Sequence, residues 1–126
     1  MLSLERAFAR ALVAGALLIV GVGASHAAGA LAVGHCGAYG FAYDFVRADT
    51  ARSAALRKCS GKDCQVVAAM KRNCAALAVD MQNACGAFGF AAAARLGAAQ
   101  NTALRQCYRY GGKDCVIRAF VCDGKG

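Results

Sequence analysis

The side chains in this chain best equipped for chemistry are its eight cysteines, Cys36, Cys59, Cys64, Cys74, Cys85, Cys107, Cys115 and Cys122. A tetrapeptide that ends in cysteine, Gly-Lys-Asp-Cys, is written twice, at Gly61–Cys64 and Gly112–Cys115. Thiolate pairs at short spacing could hold tetrahedral zinc, exchange electrons with a substrate, or close as disulfides. Zinc ribbons repeat one short spacing, whereas four residues separate Cys59 from Cys64 and seven separate Cys107 from Cys115. No Cys-x-x-Cys occurs, so the thioredoxin-type redox motif is absent. The even number instead reads as four disulfides, and neither a metal nor a cofactor is expected.

Other chemistry is thinly supplied. Once an export signal is removed, the chain holds one histidine, His35, and two serines, Ser53 and Ser60, neither of them in a Gly-x-Ser-x-Gly setting. His35 lies in a Gly-His-Cys turn and is expected to be an exposed loop residue rather than a base. The remaining acids are six scattered aspartates, which gives no support to a paired-carboxylate glycosidase. No phosphate-cradling glycine motif lies at a strand-to-helix junction. The catalytic residue set is therefore empty, and a non-enzymatic chain is expected.

The export signal is read from the first 27 residues. Arg6 and Arg10 precede an apolar run, Ala11 to Gly23, followed by Ser25-His26-Ala27. That run is too short for the roughly 20 residues of a membrane span, and it suits a cleavable signal cut after Ala27, or alternatively after Ala30. The mature chain, residues 28–126, then carries 13 Lys and Arg against 6 Asp, a net charge of +7. It is expected in the periplasm or outside the cell, with no membrane span.

The cysteines need elements to hold them, and those elements come twice. Ala30-Leu31-Ala32-Val33 matches Ala76-Leu77-Ala78-Val79, and Cys36-Gly37-Ala38-Tyr39-Gly40-Phe41-Ala42 matches Cys85-Gly86-Ala87-Phe88-Gly89-Phe90-Ala91. Ala55-Leu56-Arg57-Lys58-Cys59 matches Ala103-Leu104-Arg105-Gln106-Cys107, and the Gly-Lys-Asp-Cys blocks follow. Repeats of about 30–74 and 76–122 result, with Cys74 as the counterpart of Cys122. Each half reads as two strands, a short helix and a third strand. Tyr39, Phe41 and Tyr43 share one strand face by alternation, as do Phe88 and Phe90. The first helix has Asp49 or Thr50 to cap it and Ala51, Ala54, Ala55 and Cys59 on its buried face; its twin runs from about Ala98 to Cys107. Cys64 to Met70 and Cys115 to Cys122 read as strands, the latter with Val116, Arg118 and Phe120 opposite Ile117, Ala119 and Val121. The expected fold is α+β: one small disulfide-rich domain of two tandem β-β-α-β repeats, its sheet covered by two short helices. Gly-Lys-Asp-Cys then becomes the joint between helix and strand, with Gly turning the chain and Lys and Asp solvated.

This arrangement resembles a bacterial secreted family known as domain of unknown function 4189. The likeness rests on the paired blocks: a small-residue strand, a Gly-Ala-aromatic-Gly turn, an Ala-Leu-x-x-Cys helix end and a strand that opens and closes on Cys, from about Ala30 to Cys122. It implies export and a disulfide-rich α+β fold, and brings no catalytic residues with it. Two departures are Tyr39 and Phe88, where the family often has Trp, and Cys36 and Cys85, which stand outside its common pattern.

The disulfide map has several symmetric solutions. If each half closes on itself, Cys36 pairs with Cys59, Cys64 or Cys74. A straight strand from Cys64 to Cys74 would span about 30 Å, which disfavours the Cys64–Cys74 pattern. Cys36, Cys59 and Cys64 are expected to cluster, and cross-half pairs such as Cys74–Cys122 or Cys36–Cys85 stay open.

For function, charge favours an acidic protein or an anionic envelope component as partner, with no specific support for nucleic acid. The candidate surface is Arg52, Arg57, Lys58, Lys62, Lys71 and Arg72, with Tyr43, Tyr108 and Tyr110 available for stacking. An exported binding module, one that could inhibit an envelope or extracellular enzyme, is the expected role. A small envelope enzyme and a structural or stress-resistance protein without a dedicated ligand are the alternatives.

Overall fold

The computed structural model describes residues 27–124. The elements run β1 Ala28–Val33, β2 Tyr39–Phe45, α1 Ala48–Lys58, β3 Gln65–Lys71, β4 Cys74–Asp80, β5 Phe88–Ala93, α2 Leu96–Arg109 and β6 Cys115–Cys122. A short 3-10 turn, His35–Gly37, sits between β1 and β2. The two halves repeat the same order of elements and fit a tandem β-β-α-β duplication. The expected export signal lies outside the described residues apart from Ala27, whose carbonyl accepts the Arg72 N–H at 3.2 Å.

Each half builds its own antiparallel three-stranded sheet, in the orders β2-β1-β3 and β5-β4-β6. The expected single sheet is thus two. The reason is written in the central strands, which are apolar on both faces. Leu31 and Val33 of β1 meet Ala75, Leu77 and Val79 of β4 between the sheets, together with Met70, Ala119 and Val121. Ala30 and Ala32 point the other way, onto Ala51, Ala54 and Ala55 of α1. Ala76 and Ala78 likewise face Ala99, Ala103 and Cys107 of α2. The result is four layers, helix, sheet, sheet and helix, with β2 facing β6 and β3 facing β5 across the middle. Burying a leucine fully contributes about 1.5–3 kcal/mol, so Leu31 and Leu77, both essentially inaccessible, are principal contributors to the central core.

The outer interfaces are made of alanine because the helices lie close to their sheets. A methyl at Gly40 would sit 2.6 Å from the Lys58 carbonyl carbon and nearer still to Ala55 O and Cys59 N. Gly89 is in the same position against α2, 2.7 Å from Cys107 N and nearer to Ala103 O. Glycine at these two strand positions, in β2 and β5, therefore serves helix-to-strand approach.

Some local expectations are corrected. Helix α1 begins at Ala48 with Arg47 as its N-cap, and neither Asp49 nor Thr50 caps it; both lie in the first turn, where Thr50 Oγ1 donates to Arg47 O at 2.9 Å. Helix α2 is longer than expected, 14 residues starting at Leu96. In β6 the register slips between Leu77 and Ala78 of its partner, so that Ala119 pairs with Leu77 and Ile117 with Ala78. That bulge places Val116 with Ala119 and Val121 against the central core and turns Ile117 toward α2. Val116, Arg118 and Phe120 consequently do not share a face. The β1–β3 pair slips at the equivalent place, between Leu31 and Ala32.

The disulfides are Cys36–Cys85, Cys59–Cys64, Cys74–Cys122 and Cys107–Cys115. Two are local staples that close each Gly-Lys-Asp-Cys joint, tying a helix C-terminus to the strand that follows. Cys74 opens β4 and pairs in register with Cys122, both in the second sheet. The matching positions of the first sheet are Ala28 and Lys71, so Cys74 is not the structural counterpart of Cys122. Cys36–Cys85 joins the halves, and the patterns in which Cys36 pairs within its own half do not occur.

Candidate functional site

Strands β1 and β4 both end where the chain enters a loop, and Cys36–Cys85 clamps those two loops together. Both helices also run toward this end, so both Gly-Lys-Asp-Cys joints lie there. The opposite end carries the β3–β4 connection. There the fully buried Asp123 accepts the N–H groups of Arg72 and Asn73, each at 2.9 Å, and Gly124 N donates to Asp44 Oδ1 at 2.7 Å. One end is a latch built on backbone hydrogen bonds, the other a bridged set of loops.

At the loop end the two joints are held differently. In the first half His35 N donates to Lys62 O at 3.0 Å, and the Cys59–Cys64 sulfurs lie so close to Gly34 that a methyl there would be 2.7 Å from Cys64 Sγ. In the second half the buried Asp80 stands where the first half has Gly34. Its carboxylate accepts from Gln82 N at 3.0 Å, Asp114 N at 3.2 Å and Lys113 N at 3.3 Å. The Gln82 N–H and those of Lys113 and Asp114, aided by the nearby Lys113 charge, outweigh desolvation and hold the Asp80 carboxyl below the usual carboxylate range. Tyr108 adds a brace, its hydroxyl accepting from Cys115 N at 3.2 Å and donating to Cys115 O at 3.4 Å.

Phe88 projects from the same end, 40% exposed. On one side it borders an open groove of about 250 Å³ shared with Val33, His35, Asp63, Gln65 and Val67. On the other it borders a groove of about 550 Å³ with Phe90, Gln106 and Tyr110, where the Gln106 side chain accepts the Phe90 N–H at 2.6 Å. Tyr110 is 65% exposed beside it. His35 is exposed in its turn, as expected.

All six expected surface cations are exposed, but they do not form one patch. Arg57, Lys58 and Lys62 sit at the C-terminus of α1 and its joint, at the loop end. Lys71 and Arg72 sit at the latch end, roughly 20 Å away along β3 at about 3.3 Å per residue. Arg52 lies between them on α1. The tyrosines separate as well: Tyr43 is on β2, whereas Tyr108 and Tyr110 are at the end of α2. Sequence reasoning missed Arg109 and Lys113, the loop-end cations of the second half, and Arg118, whose guanidinium lies 5.8 Å from the Tyr39 ring across the halves. The repeat itself carried the signal for Lys113, which stands where Lys62 does.

Among the described residues no helix is long and apolar enough to cross a membrane. The sequence pattern of the family described as "Domain of unknown function (DUF4189)" matches residues 28–122. No curated protein matches the chain. Among solved structures, the NMR structure of Rv1813c from Mycobacterium tuberculosis is similar, with 26% sequence identity and a TM-score of 0.58 over 77% of this chain and 75% of that one.

Proposed function

The chain belongs to the DUF4189 family, and from that premise we propose that it is an exported, non-enzymatic interaction module whose bridged loop end engages an acidic protein partner. Export is supported by the N-terminal Arg-flanked apolar run and by a disulfide content that suits an oxidising compartment. One observation carries the choice of face. Phe88, at the start of β5, stands exposed between two open grooves beside loops that a disulfide holds together, with Lys58, Lys62, Arg109 and Lys113 at the ends of the flanking helices and joints. An exposed aromatic anchor on a rigid frame limits the entropy lost on binding, and the surrounding cations steer an acidic partner. Inhibition of an envelope or extracellular enzyme is one form that such binding takes.

The test is capture of acidic proteins from envelope extract on oxidised mature protein, with affinity for immobilised polyglutamate as a defined probe. Lys62→Glu with Lys113→Glu is expected to weaken binding about tenfold at low salt, ~1.4 kcal/mol, whereas Lys71→Glu with Arg72→Glu leaves it within about twofold. Equal losses at the two ends, or binding indifferent to salt, would contradict the choice of face and mechanism. The groove that His35 shares with Asp63 and Gln65 is the feature that favours a small envelope enzyme instead. A turnover abolished by His35→Ala with the fold intact would replace the binding role with that one.

A further inference from the structure

The four disulfides differ in how they meet solvent. Cys59, Cys74, Cys107 and Cys115 are buried, so each of the bridges Cys59–Cys64, Cys74–Cys122 and Cys107–Cys115 keeps at least one cysteine inside the protein. Cys36 and Cys85 are both exposed, and both line a small recess of about 110 Å³ at the loop end with His35, Gly34, Gly86 and Phe88. We infer that Cys36–Cys85 is a thiol-exchange site, at which a low-molecular-weight thiol reversibly opens the clamp between the halves while the other three bridges stay closed.

Exchange needs a thiolate to reach one sulfur in line with the bond, and a good leaving thiolate on the other. Access is greatest here, where both cysteines are exposed; Cys64 and Cys122 are half-buried opposite buried partners, and Cys107 and Cys115 are both buried. The incoming thiolate forms a new S–S bond to one of the two sulfurs, the Cys36–Cys85 bond breaks, and its electron pair leaves on the other cysteine, which takes up a proton from solvent. A second thiolate then attacks the small thiol's sulfur in the mixed disulfide; the remaining cysteine leaves as a thiolate and is protonated in turn, and the oxidised small thiol departs, a two-electron reduction.

The backbone supports opening as a local event. Cys36 is held at φ 56°, in the left-handed region that an L side chain disfavours, so the turn gains freedom when released. What holds the halves together does not depend on the bridge: the central core between the sheets and the Asp123 latch at the far end both remain. Reduction thus frees His35–Gly37 and the loop before β5 without separating the sheets. The inference is independent of what the loop end binds.

The experiment is graded exposure of the oxidised mature protein to reduced glutathione without denaturant, followed by acid quenching, alkylation and peptide mapping. Cys36 and Cys85 are expected to lose their bridge at least tenfold faster than any other pair, with glutathione and the alkyl label found on these two cysteines and far-UV circular dichroism unchanged. Labelling that begins at Cys59, Cys64, Cys74, Cys107, Cys115 or Cys122, or all bridges opening together with loss of structure, would overturn the inference. A bridge that resists glutathione until the protein is denatured would do the same.

Discussion

Replacing Gly40 by alanine adds one methyl to the protein and should be among the most damaging single changes to it. That methyl would meet backbone, not flexible side chain: Lys58 C at 2.6 Å, with Ala55 O and Cys59 N nearer still. Helix α1 would have to move off its sheet, opening contacts along Ala30, Ala32, Ala51, Ala54 and Ala55. Overpacking of this kind costs about 1–3 kcal/mol, and the rigid backbone partners place Gly40→Ala toward the upper end. For a domain of this size each kcal/mol lowers the melting temperature by roughly 4–8 °C, so a drop of about 10–20 °C is expected. Gly89→Ala should match it, because Ala103 O and Cys107 N oppose it in the same way. Gly97 is the control. It lies in the first turn of α2 with nothing within 4 Å of an added methyl, so Gly97→Ala should stabilise by about 0.4–1 kcal/mol. Urea unfolding with bridges intact, followed by circular dichroism since the chain has no Trp, measures all three. Gly40→Ala and Gly89→Ala stabilities within about 0.5 kcal/mol of the parent would refute the close helix-to-sheet approach, since ordinary surface substitutions stay inside that margin.

Asp123→Ala should cost about 1–3 kcal/mol in the same assay, because it removes the acceptor of the Asn73 N–H and the nearer acceptor of the Arg72 N–H, which keeps the Ala27 carbonyl at 3.2 Å. Tyr108→Phe should cost about 1 kcal/mol through the lost bonds to Cys115. Asp80 has its carboxyl held below the usual range in the folded protein, so its contribution is present above the ordinary carboxylate pKa and is lost as pH falls through the lower folded value. Urea midpoints measured from pH 6 down to pH 2 should therefore fall less steeply in Asp80→Asn than in the parent; parallel profiles would contradict that linkage.

Element order was legible because small residues, glycines and aromatics recur in register, and Ala55-Leu56 and Ala103-Leu104 mark both helices. The two sheets were not. Leu31 and Leu77 identify a buried face, but alanine is equally compatible with a helix interface, a sheet interface or partial exposure, so Ala30 and Ala76 do not announce that the opposite face is buried too. The slip in β6 was equally silent, since Val116 to Val121 alternates acceptably in either register and only pairing with β4 decides it. Cys74 misled because symmetry in sequence assigned it to the close of the first half, whereas the turn at Arg72, with φ 57°, sends the chain into the second sheet just before it. For the candidate site, exposure of the cations followed from composition. Their division between two ends follows from the length of β3, which sequence spacing does not convey when a helix and a joint intervene.

Peptide mapping of the non-reduced protein tests the clamp between the two similar halves most directly. The expected map is Cys36–Cys85, Cys59–Cys64, Cys74–Cys122 and Cys107–Cys115. A peptide joining Cys36 to Cys59 or Cys64 within the first half, or free thiols at Cys36 and Cys85, would contradict it.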